Sequence, residues 1–173
     1  MGQFRSVARR TVAGAPLIGQ MIRSTRKQRV LAVASGGGHW VQLQRLTPAF
    51  DGQDVAYLTT DPGYRSEVGD ARFHVVNDAN RWNKLALLRC ALKVVRVVLR
   101  ERPDVVLSTG AAPGYLAIRC ARLLGARTIW IDSVANVEEL SMSGRMASAT
   151  ADLCLTQWPH LARGPVRYLG AVL

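Results

Sequence analysis

The sequence predicts an α/β domain: a Rossmann-like parallel sheet of about six strands with helices on both faces. Three observations point there. From residue 29 onward, short apolar runs alternate with longer helical patterns. Two of those runs pass straight into glycine-rich turns, Ser35-Gly36-Gly37-Gly38-His39 and Ser108-Thr109-Gly110-Ala111-Ala112-Pro113-Gly114. The chain has 173 residues, 49% of them hydrophobic, which suits one domain with a sizeable core.

Taken in order, residues 30–35 read as the first strand and 41–50 as the first helix. Residues 54–59 form the second strand, closed by the turn signal Asp61-Pro62-Gly63. A short third strand covers 72–76. Residues 82–100 form a long helix that Pro103 stops, with Leu85, Leu88, Leu92, Val95 and Leu99 on one face. On the same helix Arg89, Lys93, Arg96 and Arg100 make a stripe, which reads as a solvated face with a membrane-facing role as the alternative. The fourth strand is 104–109. After its glycine turn a helix runs to Leu124, with Pro113 suited to its first turn and Gly125 closing it. Residues 127–131 form the fifth strand, 138–149 a helix that Gly144 interrupts, 152–156 the sixth strand and 166–169 a possible last one.

Alternating strands and helices imply right-handed crossovers, and the C-terminal strand ends of such a sheet face the ligand crevice. Three turns fall on that edge: residues 35–39, 108–114 and 132–136. His39, two glycine loops and the carboxylate of Asp132 are therefore expected around one cleft. The nucleotide fingerprints fail there. A G-x-G-x-x-G beginning at Gly36 needs glycine where Val41 stands, and no Gly-Lys-Ser/Thr follows the first turn. On the motif alone, a structural turn and a phosphate site are equal readings.

The net charge of +11 is unevenly placed. No acidic residue precedes Asp51, whereas Arg5, Arg9, Arg10, Arg23, Arg26, Lys27, Arg29 and Arg45 do. An anionic partner surface follows. The basic stretches lack interleaved aromatics and any nucleic-acid motif, so the expectation is a membrane surface or phosphate-bearing lipid and no nucleic acid. Residues 1–28 read as a basic segment lying at a membrane interface through Phe4, Val7, Ile18, Ile22 and their neighbours, with a basic leader as the rival. The charge-free run 11–22 is too short to span a bilayer. Residues 29–173 make up the domain. Cys90, Cys120 and Cys154 sit apart in apolar contexts, which indicates neither a disulfide framework nor a metal site.

The three turns, together with Asp132-Ser133-Val134-Ala135-Asn136-Val137 and Ser141-Met142-Ser143-Gly144-Arg145, resemble the Alg14/PssD family over roughly residues 29–173. The run Gly38-His39-Trp40-Val41-Gln42-Leu43 is closer to its bacterial exopolysaccharide branch. That family is the acceptor-side half of a split GT-B glycosyltransferase related to the N-terminal domain of MurG. The resemblance implies a subunit held at the cytoplasmic face of a membrane, inactive alone. It would act with an Alg13/PssE-like donor-binding subunit on a lipid-linked sugar acceptor. UDP-sugar would be the donor substrate, GlcA or GlcNAc, with no cofactor and no metal. Two positions depart from the family pattern, Gln42 and Asp132, where glutamate is common.

In that reading His39 is the general base, with Asp132 as alternative base or orienter. Ser35, Gly36, Gly37, Gly38, Thr109, Gly110, Ala111, Pro113 and Gly114 would line the substrate side, offering backbone N–H groups to a pyrophosphate. Ser133, Asn136, Ser141, Gly144 and Arg145 would complete it, Arg145 at a phosphate. A helix-capping His39 and a surface Arg145 are the bland rivals. The apolar end, residues 168–173, would dock on the donor subunit or fold back on its own sheet. Two further classes stay open: a stand-alone nucleotide-binding enzyme, and a non-catalytic anchor for a catalytic partner.

Overall fold

A computed structural model describes residues 18, 19, 22, 26–78 and 83–171. Seven strands form one sheet: β1 (Arg29–Val33), β2 (Asp54–Thr59), β3 (Arg72–Val75), β4 (Val105–Ser108), β5 (Arg127–Ile131), β6 (Leu153–Thr156) and β7 (Val166–Tyr168). Their order is β3-β2-β1-β4-β5-β6-β7, with every neighbouring pair parallel. The run 166–169 is thus a genuine seventh strand, one more than the six read with assurance from sequence. The chain winds outward from β1 to β3, crosses back to β4 beside β1, and winds out the other way. The switch point lies between β1 and β4, and in sheets of this kind ligands bind there, outside the C-terminal strand ends.

Both faces of the sheet are covered. On one, Val30, Ala32 and Ala34 join Trp40 and Leu43 from helix α1 (Gly38–Arg45) and Leu46, which caps it. On the other, Leu31 and Val33 meet α2 (Lys84–Glu101) and α3 (Ala111–Leu123), which a short α4 (Met142–Ser148) flanks. The alternation along β1 is the period-two signature of a strand buried on both sides.

Four expectations change. The first helix begins at Gly38 and ends at Arg45; Pro48 cannot donate into an α-helical ladder, and residues Thr47–Phe50 continue as a 3₁₀ turn. The helix expected over 138–149 shrinks to α4, because Ser141 is held outside it as the N-cap, accepting from the Gly144 N–H at 2.8 Å.

The long helix turns its other side to the sheet. Cys90, Val94 and Val98 are buried, while Leu85, Leu88, Leu92 and Leu99 are more than half exposed. Two apolar stripes compete on α2, and the narrower one of cysteine and valine faces the sheet.

The interfacial reading of residues 1–28 lies mostly outside the described residues. Of its apolar side chains, Ile18 and Ile22 are described, and both are fully buried in the α1-side core. Those two are committed to the domain and are not free to enter an acyl boundary. Among the described residues no helix is long and apolar enough to cross a membrane.

Candidate functional site

The site is built where α1 leaves the end of β1. His39 lies in the first turn of α1, half-buried, and its Nδ1 is 2.9 Å from the carbonyl oxygen of Thr109. A carbonyl only accepts, so Nδ1 carries the proton and the neutral ring keeps its lone pair on Nε2. The Thr109 hydroxyl returns the link, donating to the His39 carbonyl at 2.8 Å. The two glycine turns are thereby latched across the switch point.

The close approach of the ring dictates the residue beneath it. A Cβ on Gly110 would overlap the His39 imidazole, and Gly110 sits at φ 147, where L side chains are strained. The next residue, Ala111, adopts φ 66. A non-glycine residue in the left-handed region stores strain of about 1–3 kcal/mol, a cost usually met at functional turns. Pro113 and Gly114 lie buried in the first turns of α3, Gly114 against Ser108 and Trp130.

Three N–H groups expected to face an anion are occupied. Gly36 donates to Thr60 Oγ1 at 3.2 Å, Gly37 to the Tyr64 hydroxyl at 2.9 Å, and Gly110 to Ser108 Oγ at 3.2 Å. Those three donors are therefore committed within the turns. The Thr60 and Tyr64 hydroxyls keep their own protons and remain able to donate outward. Ser35 lies just past β1, half-buried, at the start of this turn.

Sequence reasoning missed how the turn is held. Trp40 stacks on Tyr64 with ring centroids 4.6 Å apart, and its indole N–H donates to Glu67 at 2.8 Å. The 3₁₀ segment Pro62–Glu67 is so clamped over the glycines. An aromatic two residues after Pro62 was the only signal available, and nothing in its spacing ties it to residue 37.

Asp132 closes the other side. It is 2% exposed, and its carboxylate accepts from Trp130 Nε1 at 3.2 Å, Asn136 Nδ2 at 3.0 Å, the Ser141 N–H at 2.9 Å and the Ser141 hydroxyl at 2.6 Å. Four donors fill the lone-pair positions of a carboxylate. In this arrangement Asp132 organises the 132–141 loop. Gly144 is as tightly placed, since a Cβ there would come 2.5 Å from Asp132 Oδ1. Gln42, one turn beyond His39, donates from Nε2 to the Asp132 carbonyl at 3.3 Å, and Gln157 does so at 2.9 Å. Through His39 and Gln42, α1 thus reaches the ends of β4 and β5. Buried Gln42 keeps an unpartnered Oε1.

The remaining residues spread outward. Ser133 accepts from the Ala135 N–H at 3.3 Å in a local turn. Arg145 is bound to Glu139 at 3.0 Å and to the Leu140 carbonyl at 2.8 Å. It lines a cavity of about 420 Å³ with Glu138, His160 and Arg163, whose walls do not include His39. The structure thus brings His39, Thr109, Gly110 and Asp132 to one edge and leaves Arg145 to the side, on the surface. At the chain end, Leu169 packs against the core while Tyr168 is exposed; residues 172–173 lie outside the described residues.

The family described as "Oligosaccharide biosynthesis protein Alg14 like" matches residues 64–172, more than half of the chain. The chain belongs to the Alg14 family. The Alg14 match takes in the second and third turns and stops short of His39. A longer similarity, 26% identity over 84% of this chain and 80% of the other, is to the "UDP-N-acetylglucosamine transferase subunit ALG14" of Eremothecium gossypii. The subunit of that name from Schizosaccharomyces pombe is 37% identical over 40% of this chain and 37% of its own.

Among solved structures, Acinetobacter baumannii MurG superimposes with a TM-score of 0.65 at 16% identity, covering 83% of this chain and 45% of MurG. A UDP-N-acetylglucosamine 2-epimerase from Rickettsia bellii gives 0.63 at 15%, over 85% of this chain and 46% of the epimerase. At such identities the likeness is one of fold: this Alg14-family chain spans about half the length of each of these neighbours, and the fold bears out the Rossmann-like, GT-B-type architecture read from the sequence.

Proposed function

We propose that the chain is the acceptor-side subunit of a two-component glycosyltransferase. It would transfer a sugar from a UDP-sugar held by a separate donor-binding subunit to a lipid-pyrophosphate-linked acceptor. The observation that carries this reading is the tautomer of His39. With Nδ1–H bound to the Thr109 carbonyl, Nε2 is the basic atom, and it lies at the sheet edge where α/β ligands bind.

The chemistry follows. The acceptor hydroxyl attacks the anomeric carbon and gives its proton to Nε2, the sugar–phosphate bond breaks, and UDP leaves with the electron pair. The imidazolium that forms keeps its Nδ1–H bond to the carbonyl, which stabilises the charge. Asp132 acts as orienter, fixing the loop that carries Asn136 and Ser141. Family membership and the names of its relatives support a transferase subunit, and those names favour N-acetylglucosamine over glucuronate as the sugar. The reading calls for no cofactor beyond the donor and for a membrane-bound acceptor.

The test is reconstitution. UDP-sugar, a lipid-pyrophosphate acceptor, this chain and the donor-binding protein from its own cell are combined singly and together. Transfer only in the full mixture is the expected result. Transfer by this chain alone, or tight UDP-sugar binding to it without a partner, overturns the split-enzyme reading in favour of a stand-alone enzyme.

A further inference from the structure

We propose that the cavity of about 580 Å³ at the N-terminal end of the sheet binds a soluble phosphate ester with an apolar or aromatic body. Three neighbouring strand starts build it. The Asp104 N–H donates to the Arg29 carbonyl at 2.8 Å, and the Arg127 N–H to the Asp104 carbonyl at 3.0 Å. Arg29, Asp104 and Arg127 therefore stand side by side at the starts of β1, β4 and β5. Arg26 and Arg102 add two further cations, the latter just past the end of α2. Buried Val98, Ala121 and Ala126 supply apolar wall, joined by the half-exposed Leu99 and Leu124.

Two polar side chains hold these arginines in place. Gln28, 4% exposed, accepts from Arg127 Nη2 at 3.0 Å, and its own amide donates to the Arg26 carbonyl at 3.3 Å. Asp104 accepts from Arg26 Nη2 at 2.7 Å and lies 3.5 Å from Arg29 Nη2. Guanidiniums fixed beforehand lose less freedom when a ligand arrives. The Arg102 guanidinium has no hydrogen bond or ion pair among the described residues. Its backbone sits at φ 45 in the left-handed region, where a helix end usually carries glycine. The sequence keeps a cation where the backbone favours glycine.

Charge selects the ligand. Four guanidiniums face one carboxylate. Burial pushes the Asp104 carboxyl up, but the bonds from Arg29 and Arg26 outweigh it and hold the group below its ordinary value, so it stays ionised. The C-terminal ends of α2 and α3 bring about half a negative charge each, which leaves an excess of about two positive charges. That excess matches a phosphate dianion better than a single carboxylate, and guanidinium forks suit phosphate oxygens. A cavity of this volume takes a small molecule, and the apolar wall calls for an organic body on the phosphate. The described walls hold no histidine, cysteine, serine or threonine, so the site binds without reacting. It lies at the other end of the strands from His39 and stands whether or not the proposed reaction does.

The experiment is isothermal titration of the full chain with naphthyl phosphate, compared with naphthol and with inorganic phosphate. The expected result is saturable, salt-sensitive binding of the ester, about tenfold or more tighter than of either half. Arg127→Gln and Arg102→Gly should each weaken it about tenfold. Glycine relieves the left-handed strain, so Arg102→Gly should melt no lower than the wild type, and its lost binding is then not a loss of fold. Three results overturn the proposal. The free ester fails to bind, even where vesicles carrying phosphatidic acid do, which makes the cavity a headgroup contact. Either arginine variant binds the ester like the wild type. Or His39→Ala abolishes binding, which places the probe at the opposite end of the sheet.

Discussion

At the residue scale, the site depends on which hydrogen-bond partners are exclusive. His39 has one ring nitrogen committed to a carbonyl and one left basic. Asp132 has both oxygens committed, so in the proposed reaction His39 serves as the base and Asp132 as the scaffold. Glu101 shows the same logic away from the site. Burial pushes its carboxyl up, but the bonds from Arg72 and His74 outweigh it and hold the pKa below the ordinary value of 4.5. A depressed folded pKa contributes stability that is present above the unfolded value and lost as pH falls through the folded one. Stability measured by urea denaturation should therefore drop as pH is lowered below about 4.5, and Glu101→Gln should flatten that acid limb while lowering stability at neutral pH. An acid limb unchanged in the variant would remove Glu101 from the account. The thiols are quiet by comparison, with burial, aided by the charge of Asp132, pushing Cys154 up to about 12.

At the element scale, α2 separates what sequence periodicity reveals from what packing decides. The helix was legible, and so was its leucine stripe; the stripe that faces the sheet was not. Valine and cysteine at positions 90, 94 and 98 repeat every four residues as well as the leucines do, and periodicity alone has no means of ranking two apolar arcs. Truncation tells them apart. Val94→Ala should cost about 2 kcal/mol of unfolding free energy, whereas Leu92→Ala should stay within about 0.5 kcal/mol of wild type. Equal losses would mean that the leucine face is covered in solution. The strand ends were more transparent, because an apolar run that stops at glycines marks its own boundary. What sequence could not show were contacts between distant residues: the Tyr64 hydroxyl on Gly37, and the capture of Ser141 by Asp132 that shortens α4.

At the scale of the whole molecule, a seven-stranded parallel sheet places its switch point between β1 and β4, and the chain sets its two glycine turns there. A cavity of about 580 Å³ opens at the opposite, N-terminal end of the strands around Arg29, Asp104 and Arg127. The chain spans about half the length of the solved structures it resembles, and in the proposed complex the donor-binding subunit would face the His39 edge. The excess of positive charge suits work beside anionic lipid.

The most direct test is the rate of sugar transfer by the reconstituted pair carrying His39→Ala, with co-purification of the two subunits as a check on assembly. If His39 is the base, kcat should fall by about 10² to 10⁴ with the complex intact. A wild-type rate in that variant would contradict the account and leave the chain as an anchor for chemistry carried out wholly by its partner.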